Sequence, residues 1–307
     1  MATKIESRKF GKTVIAIAIA VFVMGISCDS GKKEPNQVPS GTVLKNKIAL
    51  NAYSFNAPLR DGSMDLFDMM NYCSGLGIDG VDLTGYYFPG YPAAPSDEYI
   101  YSIKRKAFEL GLHICGTGVR NDFCLADEEL RSKEIEHVKD WIVVAHKLGA
   151  PAIRIFPGQD VPEGFTWNET AKWVAEAILE CAEFGKKHGV VIEIQNHNHF
   201  LKTADDVIRF MEMIDSEWVG LMLDIGSYRT TSDPYSEIAQ TAGYAVSWQI
   251  KEDVYMENTK TPVDLKKIKE IIAKSEFKGY IPIETMGEGD PYEKVENHYR
   301  AVMDTFR

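Results

Sequence analysis

The stretch that most constrains the fold is residues 189–200, GVVIEIQNHNHF, a short apolar run ending in Gln195, Asn196, His197, Asn198 and His199. A run this short and this rich in β-branched residues, bounded by glycine and polar groups, reads as a buried strand. Its chemistry therefore gathers at its C-terminal end. Three later stretches repeat the design: GLMLD ends at Asp224, AVSWQIKE runs through Gln249, Lys251 and Glu252, and YIPIE ends at Glu284. Strands that each carry a polar group to the same end of one sheet build one site.

The rest of the chain alternates in the same way. Strands are expected at 48–53, 80–83, 113–116, 152–156, 190–195, 219–224, 245–250 and 280–284. Helices are expected near 64–75, 96–110, 127–148, 169–188, 204–214, 234–242, 263–275 and 291–306. Val174, Ile178, Cys181 and Gly185 share one face at helical spacing, as a helix lying on a sheet requires. Eight strand–helix units in about 260 residues predict a single α/β domain, a (β/α)8 TIM barrel over residues 47–307. A doubly wound open sheet would carry a glycine-rich phosphate loop after its first strand. The turn here is Ser54-Phe55-Asn56-Ala57-Pro58, so no nucleotide cofactor is expected.

Barrel chemistry sits at the C-terminal ends of the strands. The loop after the second strand, GYYFPGYPAAP from Gly85 to Pro95, belongs to that face. Its aromatic residues, Tyr87 among them, either form a wall for a stacking ligand such as a sugar or seal the barrel mouth.

The N-terminus has a different pattern. Lys4, Arg8, Lys9 and Lys12 precede the apolar run 13–27, TVIAIAIAVFVMGIS, which is followed by Cys28. A basic segment, an apolar run of about 15 residues and small residues before a cut make a secretory signal. The run is short for a membrane span, which needs roughly 20 apolar residues. Gly25-Ile26-Ser27-Cys28 resembles a bacterial lipobox, with Gly25 where leucine is usual. The reading is a signal over 1–27, a lipid on Cys28 and a flexible tether over 28–46, rich in Gly, Pro, Ser and charge. The protein is then exported and lipid-anchored, periplasmic or at the cell surface, touching the membrane only through that lipid. The full chain has net charge −11, and losing a segment of net +3 leaves −14. Such a charge repels phosphate backbones, so nucleic acid is not an expected partner. The sequence sets no oligomeric state. Cys73, Cys115, Cys124 and Cys181 include no CxxC, and Cys73 and Cys181 fall in helical patterns as buried thiols.

The series of strand ends resembles the xylose-isomerase-like TIM-barrel superfamily, in particular its sugar phosphate isomerase/epimerase group, over nearly all of 47–307. In that group the fifth strand ends in Glu-Asn-His, the sixth in Asp with His three residues on, the seventh in His-x-Lys-Asp and the eighth in Glu. The Glu, Asp, His and Glu hold one divalent metal, and the two glutamates act as acid and base. The resemblance places Gln195 at the first glutamate, with Asn196 and His197 after it. Asp224 matches the aspartate, Ser227 the histidine after it, Gln249 the ligand histidine, Lys251 and Glu252 the Lys-Asp pair, and Glu284 the last glutamate. Asp82 falls where a substrate hydroxyl is often held.

The departures matter for mechanism. Gln195, Asp224, Gln249 and Glu284 still offer four oxygens for Mn, Mg or Ca, whereas Zn loses the imidazole it favours. If no metal binds, the amides would hydrogen-bond the carboxylates instead. An amide is no general base, so Gln195 cannot fill the first glutamate's role. Glu284 is left as base, with Lys251 and His197 as catalytic partners and Asp82, Tyr87, Asn196, His199 and Glu252 as substrate contacts. Glu193 points the same way one layer deeper and is expected to pair with Arg154. Epimerisation across two faces wants two bases, so one-base chemistry, 1,2-isomerisation or β-elimination, is favoured; the reading is a sugar isomerase/epimerase-like enzyme on a saccharide or keto-sugar, with a keto-glycoside lyase or hydrolase as the alternative. A non-catalytic saccharide-binding lipoprotein is the third reading. With no basic cluster evident at the predicted strand ends, the carbohydrate is expected to be unphosphorylated. The superfamily's DNA-repair endonucleases have more metal-binding His and Glu, and a basic face this chain lacks.

Overall fold

A computed structural model describes residues 46–197 and 199–307. Eight parallel strands close in the order β1-β10-β7-β6-β5-β4-β3-β2. They are β1 (Lys47–Asn51), β2 (Gly80–Thr84), β3 (His113–Gly118), β4 (Ala152–Ile155), β5 (Val191–Gln195), β6 (Val219–Asp224), β7 (Ala245–Lys251) and β10 (Tyr280–Glu284). The helices are α1 (Asn56–Asp61), α2 (Leu66–Leu76), α3 (Asp97–Glu109), α4 (Glu128–Leu148), α5 (Trp167–His188), α6 (Ala204–Ile214), α7 (Pro234–Thr241), α8 (Leu265–Lys274) and α9 (Pro291–Phe306). The expected (β/α)8 barrel is the observed fold.

Period-two alternation explains both its core and its site. Ile192 and Ile194, Leu221 and Leu223, Trp248 and Ile250, and Ile281 and Ile283 are fully buried against the helical layer. Burying each aliphatic side chain contributes on the order of 2 kcal/mol. The residues between them face the barrel interior, and there polar groups accumulate. Helix boundaries follow local chemistry. Ser96 caps α3 through the Tyr99 N–H, and α4 ends at Gly149, whose φ of +80° suits a residue without a Cβ.

Two features have no counterpart in the sequence reading, the short helix α1 and a hairpin. Between β7 and β10 an antiparallel hairpin pairs β8 (Asp253–Met256) with β9 (Thr259–Pro262). Its turn places Glu257 and Asn258 at positive φ, 47° and 64°. The pattern that encodes it is two short runs around Glu-Asn. The N–H groups of Glu257 and Asn258 donate to the carbonyls of Thr231 and Arg229, fixing the hairpin beside the loop after β6.

The four cysteines among the described residues are free thiols; Cys73, Cys124 and Cys181 are buried and Cys115 is half-buried. The signal over 1–27, the lipid on Cys28 and all of the 28–46 tether except Asn46 lie outside the described residues. Among the described residues, no helix is long and apolar enough to cross a membrane.

Candidate active site

Strand register decides which polar groups meet. Glu284 of β10 pairs with Lys251 of β7, and Asp224 of β6 pairs with Gln249 of β7. Lys251, Asp224 and Glu284 thus end three adjacent strands at the same mouth of the barrel. The Lys251 Nζ lies 2.9 Å from Asp224 Oδ2 and 3.0 Å from Glu284 Oε2. Gln195 Nε2 donates to the same Asp224 oxygen at 2.8 Å and to Gln249 Oε1 at 2.9 Å. The Gly226 N–H donates to Asp224 Oδ1 at 2.9 Å. All five side chains are withdrawn from bulk water, with Asp224 fully buried.

These contacts separate the two carboxylates electrically. Burial works against the charge on Asp224, but the Lys251 ammonium, the Gly226 N–H and Gln195 hold its carboxyl below the usual range. For Glu284 burial wins: with Asp224 adding repulsion, its carboxyl is pushed up despite Lys251. Burial also opposes the charge on Lys251, yet the two carboxylates hold it above an ordinary lysine, so it stays an ammonium. Two neighbouring acids pushed apart in this way divide the roles of permanent counter-ion and proton acceptor.

Above this cluster is a cavity of about 110 Å³ lined by Gln195, His197, Gln249, Lys251 and Glu284, and by Arg154, Arg120, Tyr86 and Phe156 on the opposite wall. His197 sits edge-on to Phe156 at 5.1 Å and stacks on His199 at 4.9 Å. Burial lowers its pKa to about 4, so its imidazole is neutral near pH 7.

The remaining residues expected at the site lie around the mouth. Asn196 is fully buried and acts on Asp224 from behind, donating to its carbonyl at 3.1 Å and accepting its N–H at 2.7 Å. Both ends of its amide are thus engaged by the Asp224 backbone. His199 is turned outward, 3.8 Å from Asp160. Glu252 is paired with Lys294 at 3.1 Å and lines a groove on the hairpin side. Tyr87 donates to Asn56 at 2.9 Å and faces the neighbouring aromatic groove. Asp82 accepts from Asn51 at 2.6 Å and lines a second cavity of about 210 Å³ with Cys115, Glu193 and Ser247, outside the mouth. In the aromatic loop Phe88 is buried edge-on to Trp141 at 5.5 Å, while Tyr86 lines the mouth.

Two expectations are corrected. Glu193 pairs with Arg154 only in strand register. The guanidinium donates instead to the Val119 carbonyl and, at 3.2 Å, to the Tyr86 hydroxyl. Gly118 makes this placement possible, since a Cβ there would lie 2.9 Å from Arg154 Nε. The mouth also has basic groups the sequence reading missed, Arg154 and Arg120. An arginine between Ile153 and Ile155 was the available signal, because an inward position in a barrel strand is costly for a charge.

The oxygens proposed for a divalent ion do not fit one in this arrangement. Asp224 and Glu284 each give an oxygen to the Lys251 ammonium, and Gln195 turns an N–H₂, not a carbonyl, toward Asp224 and Gln249. Among the described residues, no three His, Cys, Asp or Glu side chains converge as a metal site. Of the two amides, Gln195 bonds a carboxylate, Asp224, while Gln249 accepts from Gln195.

Residues 70–307 match the family model described as Xylose isomerase-like TIM barrel. No curated protein sequence matches the chain significantly. A D-psicose 3-epimerase solved in the presence of D-fructose superposes with TM-score 0.71 at 15% identity, covering 85% of this chain and 99% of its own. A 3-keto-D-glucoside 4-epimerase from E. coli gives 0.67 at 14% identity, with 85% and 99% covered. A xylose isomerase-like TIM barrel protein from Mycobacterium smegmatis, in complex with magnesium, gives 0.63 at 19% identity, with 85% and 98% covered. At these identities the likeness is one of fold.

Proposed function

The chain belongs to the xylose isomerase-like TIM-barrel family, and from that premise we propose a sugar isomerase/epimerase-like enzyme that removes the proton beside a carbonyl of a saccharide or keto-sugar. The observation that carries this reading is the Lys251 ammonium held between Asp224 and Glu284 at the floor of the mouth, 2.9 and 3.0 Å away. Glu284, with its raised pKa, takes the C–H proton. The electron pair moves to the carbonyl oxygen, forming an enediolate. Lys251 donates a hydrogen bond to that oxygen as charge builds on it, while Asp224 keeps Lys251 charged and in place. The proton of the adjacent hydroxyl passes to the former carbonyl oxygen, and return of the proton from Glu284 to the former carbonyl carbon, as the second oxygen becomes the new carbonyl, completes a 1,2-isomerisation with no change in mass. Neutral His197 and Gln195 are suited to holding substrate hydroxyls. No step is assigned to a metal ion, because Lys251 already supplies the positive charge between the carboxylates.

The test is exchange. Keto-sugars incubated with the protein in D₂O should incorporate deuterium at the carbon beside the carbonyl, followed by NMR, with the product isomeric to the substrate. Release of a free aglycone would replace isomerisation by elimination. Absence of exchange across ketoses and keto-glycosides would remove the enzyme reading and favour simple binding.

Export and a lipid on Cys28 are part of the same proposal, supported by the basic segment, the apolar run and the lipobox-like residues. Metabolic labelling with a radioactive fatty acid should mark the wild type and not Cys28→Ala.

A further inference from the structure

A buried guanidinium is costly unless something meets its charge and its donors. Arg154 is only 6% exposed. It is held by the Val119 carbonyl, the Tyr86 hydroxyl, the face of Phe156 at 4.3 Å and the space Gly118 leaves. Both of its hydrogen-bond acceptors are neutral. None of the ion pairs among the described residues includes Arg154 or Arg120. Asp82 and Glu284 act on Arg154 only through space. Arg120 lies over the ring of the same Tyr86 at 5.9 Å, as Arg154 does at 5.6 Å. Both arginines line the cavity whose other wall holds Lys251 and Glu284. In a chain of net charge −11, two arginines without a carboxylate in contact at the mouth form a local exception.

We propose that the mouth takes a sugar acid, its carboxylate held by Arg154 and Arg120 around Tyr86 while the reacting carbon faces Glu284. This rests on the reading that the mouth is the site of carbon-acid chemistry, and it adds the substrate's charge. A guanidinium fork matches a planar carboxylate with two parallel N–H···O bonds.

Binding decides the matter without turnover. Calorimetric titration of the purified protein with D-glucuronate and D-galacturonate is compared with D-glucose, D-galactose and glucose 6-phosphate. The uronates should bind roughly tenfold or more tightly than their neutral parents, the advantage expected of charge-assisted hydrogen bonds. That preference should fall to near parity in Arg154→Gln and in Arg120→Gln. Arg120 is at the surface, so its variant keeps the test valid if the buried substitution disturbs folding. Uronates binding no better than the neutral sugars, or not at all, overturn the proposal, as does a preference that survives in Arg120→Gln. Tighter binding of the phosphate ester overturns the choice of carboxylate. Arginine-dependent uronate binding without proton exchange would leave the anion subsite standing and the isomerase reading fallen. Exchange on neutral keto-sugars without arginine dependence would do the reverse.

Discussion

Lys251 Nζ stands 3.0 Å from Glu284 Oε2, the pairing that strand register dictates for β7 and β10. A buried ammonium shared by two carboxylates is hard to remove. Lys251→Met should cost about 3–5 kcal/mol of stability, because Asp224 and Glu284 are left buried without their counter-ion. It should also lower proton exchange by roughly 10²-fold or more, the scale of a lost oxyanion donor. Chemical denaturation and exchange rates check both, and a variant as stable as the wild type contradicts the ion-pair account.

A smaller substitution at the same position tests the metal question from the other side. Chelator treatment should leave the wild type's melting temperature and exchange rate unchanged. In Lys251→Ala the gap between Asp224 and Glu284 should admit a cation, and Mn²⁺ or Mg²⁺ should raise the melting temperature. Loss of wild-type stability on chelation, restored by metal, would falsify the assignment of the central charge to Lys251.

Glu284→Gln keeps the shape and removes the base. Exchange should fall by roughly 10²- to 10⁴-fold while the fold is retained. Undiminished exchange in that variant would move the base elsewhere.

The pH profile follows from the directions of the shifts. Glu284 must be ionised to act, and burial raises its pKa above the ordinary 4.5. The rate should therefore rise with pH through a midpoint above that value. Lys251 is held above the ordinary 10.5, so no alkaline limb from its loss of charge is expected up to about pH 10. A midpoint at or below the ordinary carboxylate value would contradict the burial argument.

Glu193 predicts a stability effect distinct from activity. Burial, with repulsion from Asp82, raises its pKa from 4.5 to about 8 in the folded chain. Between those values the folded state keeps a proton that the unfolded chain has released. Its contribution is therefore present below the unfolded value and lost as pH rises toward 8. Glu193→Gln should flatten that decline and melt a few degrees higher than wild type at pH 8. An unchanged pH dependence would mean that Glu193 is ionised in the folded protein.

The sequence by itself determined the barrel, its strand order and the end at which chemistry gathers. Those depend on local patterns: apolar runs at strand length, helical spacing as in Val174, Ile178 and Cys181, caps such as Ser96, and polar residues at strand ends. Asp224, Gln249, Lys251 and Glu284 were legible for that reason. Contacts across strands were not. Only the closed barrel shows that Lys251 lies between the two carboxylates and that Gln195 turns its N–H₂ toward Asp224. Only the tertiary structure sends Arg154 away from Glu193 to Tyr86, through space left by Gly118 on the neighbouring strand. Periodicity records which face a residue takes. Which groups then meet, and how burial divides charge among them, depends on register and on neighbours far away in the chain.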